Sequence, residues 1–146
     1  MEAKDNLALE KLASLFQRRY NIVSELKKET DELSEAMQRQ DNMSLDLLLD
    51  LRQEALNKLE NNWIEMNLLA EETEELRKVF HKLLNEDPKN SAAYPFLERR
   101  ILELRGKIVE SIHHIQERDN RINTQAKQTR KFLWENIPSE LKEEVV

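Results

Sequence analysis

The sequence contains one glycine, three prolines and no cysteine among its 146 residues. A sheet protein of this size needs several tight turns, which use Gly, Asn-Gly or Pro-Gly combinations that this chain lacks. The absence of cysteine excludes disulfides, thiolate nucleophiles and cysteine-ligated zinc. Phosphate-binding loops and dinucleotide fingerprints need several neighbouring glycines, so one glycine excludes them as well.

Charged residues, by contrast, make up 36% of the chain, where globular domains average about 25%. Such a composition is typical of long helices or a coiled coil. The net charge of −6 favours solubility and disfavours general binding to the phosphates of nucleic acids. No apolar run is long enough to span a membrane, and the first residues do not resemble a secretory signal. We therefore expect a cytoplasmic protein.

Residues that break helices cluster in three places, at about 40–44, 85–95 and 136–139. They divide the chain into predicted helices at about 4–39, 44–86 and 92–136, followed by a short tail at 137–146. Short connections place consecutive helices antiparallel. The sequence thus predicts one helical domain over 1–146. Its fold class is all-α: an elongated three-helix antiparallel bundle, or a coiled-coil hairpin with a partly unsupported third helix.

Apolar residues recur at heptad spacing in the first two predicted helices, which is the pattern of a buried stripe. The first stripe is interrupted by Arg19 and Thr30, and the second by Arg52. The first stripe comprises Leu9, Leu12, Phe16, Val23, Leu26, Leu33 and Met37. The second comprises Leu45, Leu49, Leu56, Leu59, Trp63 and Met66, and its phase slips where Leu69 follows Met66 by three residues. We expect these stripes to form the core.

The stripe of the third predicted helix weakens after Ile115, and Asp119 interrupts it. A bundle shares one core along its whole length only if every helix carries a full stripe. We therefore expect the distal part of this helix to be loosely packed, swapped between molecules, or completed by a partner. Phe132, Leu133, Trp134 and Ile137 follow the polar part, where they could either close the bundle end or anchor a partner helix.

No group of residues specifies a catalytic reaction. Glu110 and His113 form one Glu-x-x-His element of the kind that holds iron in four-helix bundles. The second element is absent, because Lys78 stands three residues before His81. We therefore predict no metal, no cofactor and no enzymatic activity. Gly106, inside a helical run, is interpreted as a close helix contact or a neutral exposed position.

Two segments resemble a known family. In residues 37–56 a helix ends in a short turn containing Asp41, and the next helix opens with leucines and an Arg52-Gln53 pair. Residues 118–123 form a polar run that includes Asn120 and Asn123. Together with the length, acidity and helical layout, these segments resemble the FlgN family of flagellar type III export chaperones.

The resemblance implies a cytoplasmic chaperone that binds amphipathic terminal helices of hook–filament junction proteins. Such a chaperone keeps those helices unpolymerised and delivers them to the export machinery. Its partner would then complete the bundle by packing a helix into a groove. From their positions on the third helix and tail, we predict these partner-binding residues: Ile115, Ile122, Ala126, Leu133, Trp134 and Ile137.

Other functions fit the same pattern. The chain could be a chaperone of the filament cap protein, another adaptor that binds helices, or a structural coiled coil that associates with itself. In the last case a second copy would cover the incomplete stripe as a homodimer.

Overall fold

The computed structural model describes the backbone of residues 3–135 and the side chains of residues 6–128. Over this range the protein is an all-α helical bundle, which confirms the predicted fold class. The elements are α1 (Ala3–Arg39), α2 (Asn42–Ala70), α3 (Glu74–Asn85), a 3₁₀ helix (Pro88–Ala93) and α4 (Phe96–Glu135).

Helix α1 lies between α2 and α4 and packs extensively against both, whereas α2 and α4 have little direct backbone contact with each other. The connection between α1 and α2 is a tight turn, so the two helices are antiparallel. Gln40 adopts a positive φ of 57° in this turn. Asp41 then caps α2, since its side chain accepts a hydrogen bond from the Ser44 amide at 3.2 Å.

Helix α4 runs parallel to α1. Arg100, near its start, donates to Gln17 at 2.9 Å, and His114 lies 2.8 Å from Asp31 further along both helices. Ile115 is the last residue of α4 to be buried among the described side chains. The fading of the predicted stripe after Ile115 therefore corresponds to a real loss of burial.

The prediction of one unbroken helix over 44–86 is wrong, because the chain reverses between α2 and α3. The Thr73 side chain accepts from the Leu76 amide at 3.0 Å and starts a new helix. An unbroken helix would carry Phe80 about 26 Å beyond Trp63. Instead the two ring centroids lie 6.0 Å apart. The reversal lets Leu76, Phe80 and Leu83 enter the core between the long helices.

The predicted start of the last helix near residue 92 is also wrong. Residues 88–93 form the 3₁₀ helix, and α4 begins at Phe96 directly after Pro95. The 3₁₀ helix packs against α4. A Cβ at Gly106 would lie only 3.1 Å from the Cβ of Pro88. The single glycine is therefore a close-contact position, one of the two roles expected for it.

The buried stripe of α2 differs from the predicted one at alternate positions. Leu48, Ala55 and Asn62 are buried, whereas Leu49, Leu56 and Trp63, each one residue later, are 51%, 43% and 40% exposed. With these three residues the stripe keeps regular heptad spacing from Leu45 through Leu69, so the predicted phase slip is absent. The prediction failed because heptad spacing fits either residue of the Leu48-Leu49 and Ala55-Leu56 pairs, and because it placed the apolar Trp63 rather than the polar Asn62 in the core.

Asn62 is buried because its side-chain amide forms hydrogen bonds with polar groups in the core. Its Nδ2 donates to the Leu15 carbonyl at 3.0 Å, and its Oδ1 accepts from Arg19 Nη1 at 3.3 Å. The Arg19 guanidinium also lies 5.5 Å from the centre of the Trp63 ring. Burial lowers the pKa of Arg19 below its ordinary value. These contacts select Asn62 rather than Trp63 for the core position.

We expect Phe80→Ala to lower the free energy of unfolding by about 3–5 kcal/mol, because it removes a fully buried ring from the core. Leu56→Ala is the contrasting variant, and its cost should be below about 1 kcal/mol because the side chain is exposed. Denaturant unfolding followed by circular dichroism measures both. Equal losses for the two variants would contradict the described path of α3.

Candidate partner-binding surface

The core is divided into two apolar clusters. The larger includes residues of α1, α2, α3 and α4 and ends near Leu26, Ala55 and Ile115. The smaller is formed by Leu33, Ala36 and Leu48, with Leu45, Leu51 and Ile122 packed against it. Different contacts therefore hold the two ends of the bundle together.

Polar residues lie between the two clusters. Arg52 of α2 donates to Asp119 of α4 at 3.0 Å, and their side chains are only 17% and 32% exposed. The fully buried hydroxyl of Thr30 on α1 donates to the Leu26 carbonyl at 2.7 Å. Each of these residues interrupts the predicted stripe of its own helix. The three residues are far apart in the sequence but lie at a similar height along the bundle. We call Thr30, Arg52 and Asp119 the polar layer.

Glu29 lies beside the polar layer with one unsatisfied carboxylate oxygen. Its Oε2 and the Nε of Arg52 are both buried without a hydrogen-bond partner. Desolvation raises the pKa of Glu29, and repulsion from Glu25 raises it further, although Lys58 and Arg52 oppose the shift. The ionised form of Glu29 therefore destabilises the folded state.

On α2, an apolar stripe lies next to the buried one. It consists of Leu49, Leu56 and Trp63, which are spaced by seven residues and therefore lie on one side of the helix. Phe80 of α3 packs against the Trp63 ring. Since α3 folds back from the end of α2, it contacts the stripe at Trp63, which remains 40% exposed. The remaining leucines are left 51% and 43% exposed.

On α2, Arg52 lies between Leu49 and Leu56, and it pairs with Asp119 of α4. Helix α4 therefore lies next to these two leucines. Gln116 and Asn123 flank Asp119 at the same spacing, and both are exposed. Where the Arg52–Asp119 pair joins the two helices, the surface is therefore apolar on α2 and rich in amides on α4. We call it the α2–α4 groove. The Arg52–Asp119 ion pair crosses it.

The predicted partner-binding residues fall into three groups. Ile115 is 6% exposed within the larger core cluster, so its side chain is already occupied by contacts within the chain. Ile122 is half-buried against the smaller cluster, and Ala126 is half-buried further along α4. The side chains of Leu133 and Trp134, together with the whole of Ile137, lie outside the described residues.

The prediction missed Leu49 and Leu56 as surface residues because it assigned both to the core. A signal for their exposure was present in the sequence, where Leu48-Leu49 and Ala55-Leu56 place two apolar residues side by side. Only one residue of each pair can occupy a heptad position. The polar contacts of Asn62, one heptad after Ala55, decide which one does.

None of the described helices combines the length and apolar character needed to cross a membrane. Within the same part of the chain, no three His, Asp or Glu side chains are grouped so that they could hold a metal ion.

We expect Glu29→Gln to raise the free energy of unfolding at pH 7. The folded-state pKa of Glu29 is raised, so the carboxylate destabilises the protein while it is ionised. This penalty decreases as the pH falls through the folded-state pKa and vanishes below the unfolded-state value. The gain over wild type should therefore shrink towards pH 4, as measured by urea unfolding across this pH range. Glu60→Gln, at an exposed position of α2, is the control and should have little effect; a gain for Glu29→Gln that persists at low pH would refute this explanation.

Comparison with protein-family models, curated proteins and solved structures gives no match for this chain.

Proposed function

We propose that this protein is a chaperone that binds one amphipathic helix of a client protein in the α2–α4 groove. The observation that carries the proposal is the exposure of Leu49 and Leu56 in line with Trp63, whose ring is contacted by Phe80 of α3. Helices recognised in grooves present anchors at positions i, i+3 or i+4, and i+7. A client helix of this kind would pack on the two leucines as α3 packs on Trp63.

Helix α3 supplies the intramolecular example of such binding. Its buried residues Leu76, Phe80 and Leu83 are spaced by four and three residues, and its other faces carry charge. A client helix placed beyond the end of α3 would continue the same apolar surface. Its polar side would meet the amides of Gln116 and Asn123. This continuity favours an amphipathic helix over an extended peptide.

The identity of the client is proposed from the resemblance to the FlgN family. On that basis the client helix is the terminal helix of a hook–filament junction protein, and binding takes place in the cytoplasm before export. The chaperone would keep the helix unpolymerised and hand it to the export machinery. The net charge of −6 suits a role that keeps an aggregation-prone segment in solution.

The predicted residues of α4 and the tail extend this site. Ile122 and Ala126 are half-buried on the distal half of α4, where a client helix leaving the groove would next pass. Leu133, Trp134 and Ile137 follow in the sequence and would supply further apolar anchors. Ile115 supports the site from within the core.

We expect the paired substitution Leu49→Glu and Leu56→Glu to weaken binding of a junction-protein terminal peptide at least tenfold. Two carboxylates on the apolar α2 side of the groove would face the apolar side of the client without a partner. Isothermal titration with synthetic peptides from the junction proteins of the same genome measures the effect. Leu47→Glu is the control, because Leu47 is 61% exposed and lies about 200° around α2 from Leu49.

Binding of wild type and Leu47→Glu, together with loss in the paired variant, would support the groove as the client site. Equal binding by all three proteins would remove the groove from the proposal. If wild type binds none of the junction peptides but binds an unrelated amphipathic helix, the client is not a junction protein.

Trp134→Ala separates the tail from the groove. We expect it to leave the thermal unfolding midpoint within about 2 °C of wild type and to weaken peptide binding several-fold, since large aromatics commonly anchor interfaces. Differential scanning calorimetry and the same titration measure the two quantities. A large drop in the unfolding midpoint would instead assign Trp134 to the core.

A further inference from the structure

A second surface lies on the side of the α1–α2 pair away from the α2–α4 groove. Leu56 and Lys58 are two residues apart on α2 and therefore point about 200° apart around it. Lys58 lines a furrow between α1 and α2. The half of this furrow nearest the start of α1 contains two adjoining clefts of about 460 and 380 Å³. Both clefts are lined by Arg18 and Glu65. We call this surface the α1–α2 furrow.

Opposite charges face each other across the furrow in three rungs. Arg18 and Glu65 form the middle rung, 3.5 Å apart and 61% and 54% exposed. Seven residues towards the start of α1, Lys11 lines the larger cleft together with Glu72, which lies in the turn that follows α2. Glu25 lies seven residues after Arg18 on α1, and Lys58 lies seven residues before Glu65 on α2. These two residues face each other across the smaller cleft. In two rungs the positive charge is on α1 and the negative charge lies opposite it. In the third rung, Glu25 of α1 is negative and Lys58 of α2 is positive.

The charge pattern is complementary to that of a second copy of the chain when a particular twofold axis relates the two copies. A twofold axis parallel to the helices sets α1 of one copy against α2 of the other at the same height. All three rungs then meet opposite charges on the second copy, including the rung with reversed sign. A twofold axis perpendicular to the helices, through the middle rung, would instead set Arg18 against Arg18. The charges thus favour one occupant and one orientation.

Apolar contact would come from the end of the furrow near Lys11. Leu68 lines the larger cleft and is 62% exposed, and Leu15 lies half-buried beside it. Leu7 is 56% exposed one turn before Lys11. Paired across the axis, these residues would remove apolar surface from water, and the charged rungs would fix the register.

We propose that the α1–α2 furrow is the interface of a homodimer in which two hairpins pack with their twofold axis parallel to the helices. This inference does not depend on the client. It leaves both α2–α4 grooves on the outside of the dimer, where each could bind a client helix. Since the charges are exposed, association should weaken as the salt concentration rises.

Sedimentation equilibrium of the full chain at low ionic strength, up to several hundred micromolar, tests the proposal. We expect a monomer–dimer equilibrium, with a dissociation constant raised at least tenfold by Leu68→Glu. Val109→Glu, at an exposed position of α4 that lines neither cleft, should leave it unchanged. A monomer at every concentration, or a dimer that Leu68→Glu does not affect, would overturn the proposal.

Charge reversal distinguishes contacts between copies from contacts within one chain. Lys11→Glu alone and Glu72→Lys alone should each raise the dissociation constant several-fold, because each places like charges across the interface. An equimolar mixture of the two variants should recover dimerisation, since the heterodimer has opposite charges at both affected rungs. Repulsion within one chain would persist in the mixture. Failure of the mixture to recover would therefore overturn the proposed orientation.

Discussion

The bundle depends on the burial of one apolar stripe along α1. That stripe is too wide for a single partner helix, so α2 covers one side of it and α4 the other. Phe80 of α3 completes the cover at one end, where its ring lies 6.5 Å from that of Phe16. Burial of apolar surface is the dominant favourable term in folding. The positions of the other helices therefore follow from the burial of the apolar stripe of α1.

Polar groups inside this core determine how the helices align. The Arg19–Asn62 contact and the Arg52–Asp119 pair each join two helices at a defined height. A buried ion pair offers weak net stabilisation, but breaking one leaves an uncompensated charge and is costly. Slipping α2 by one residue would separate both contacts at once. These residues thus reduce the stability of the bundle but fix the register of its helices. Glu29, whose pKa is raised by burial beside them, is likewise a source of lost stability.

The same register leaves apolar side chains outside the core. Heptad packing accepts Leu48 and Ala55 and excludes Leu49 and Leu56. On the far side of α2, Leu68 is exposed beside a furrow in which opposite charges face each other. Exposed apolar groups rimmed by polar residues mark interaction sites. The two surfaces lie on opposite sides of α2, so one could bind a client while the other joins two copies.

The sequence alone determined the helical class, the turn at Asp41, the stripe of α1 as far as Leu33 and the loss of burial after Ile115; beyond Leu33, Ala36 is buried in place of the predicted Met37. These features are local: they follow from glycine scarcity, capping chemistry and spacing along one helix. The break at Thr73 and the choice of Asn62 over Trp63 depend on contacts between residues distant in the chain. Thr73 begins a helix only because Phe80 gains burial against Phe16 by turning back. Asn62 enters the core only because Arg19 and the Leu15 carbonyl are there to bond it. Tertiary structure therefore decided which leucines face outward, since helical periodicity fixes spacing but not which of two adjacent apolar residues a neighbouring helix will cover.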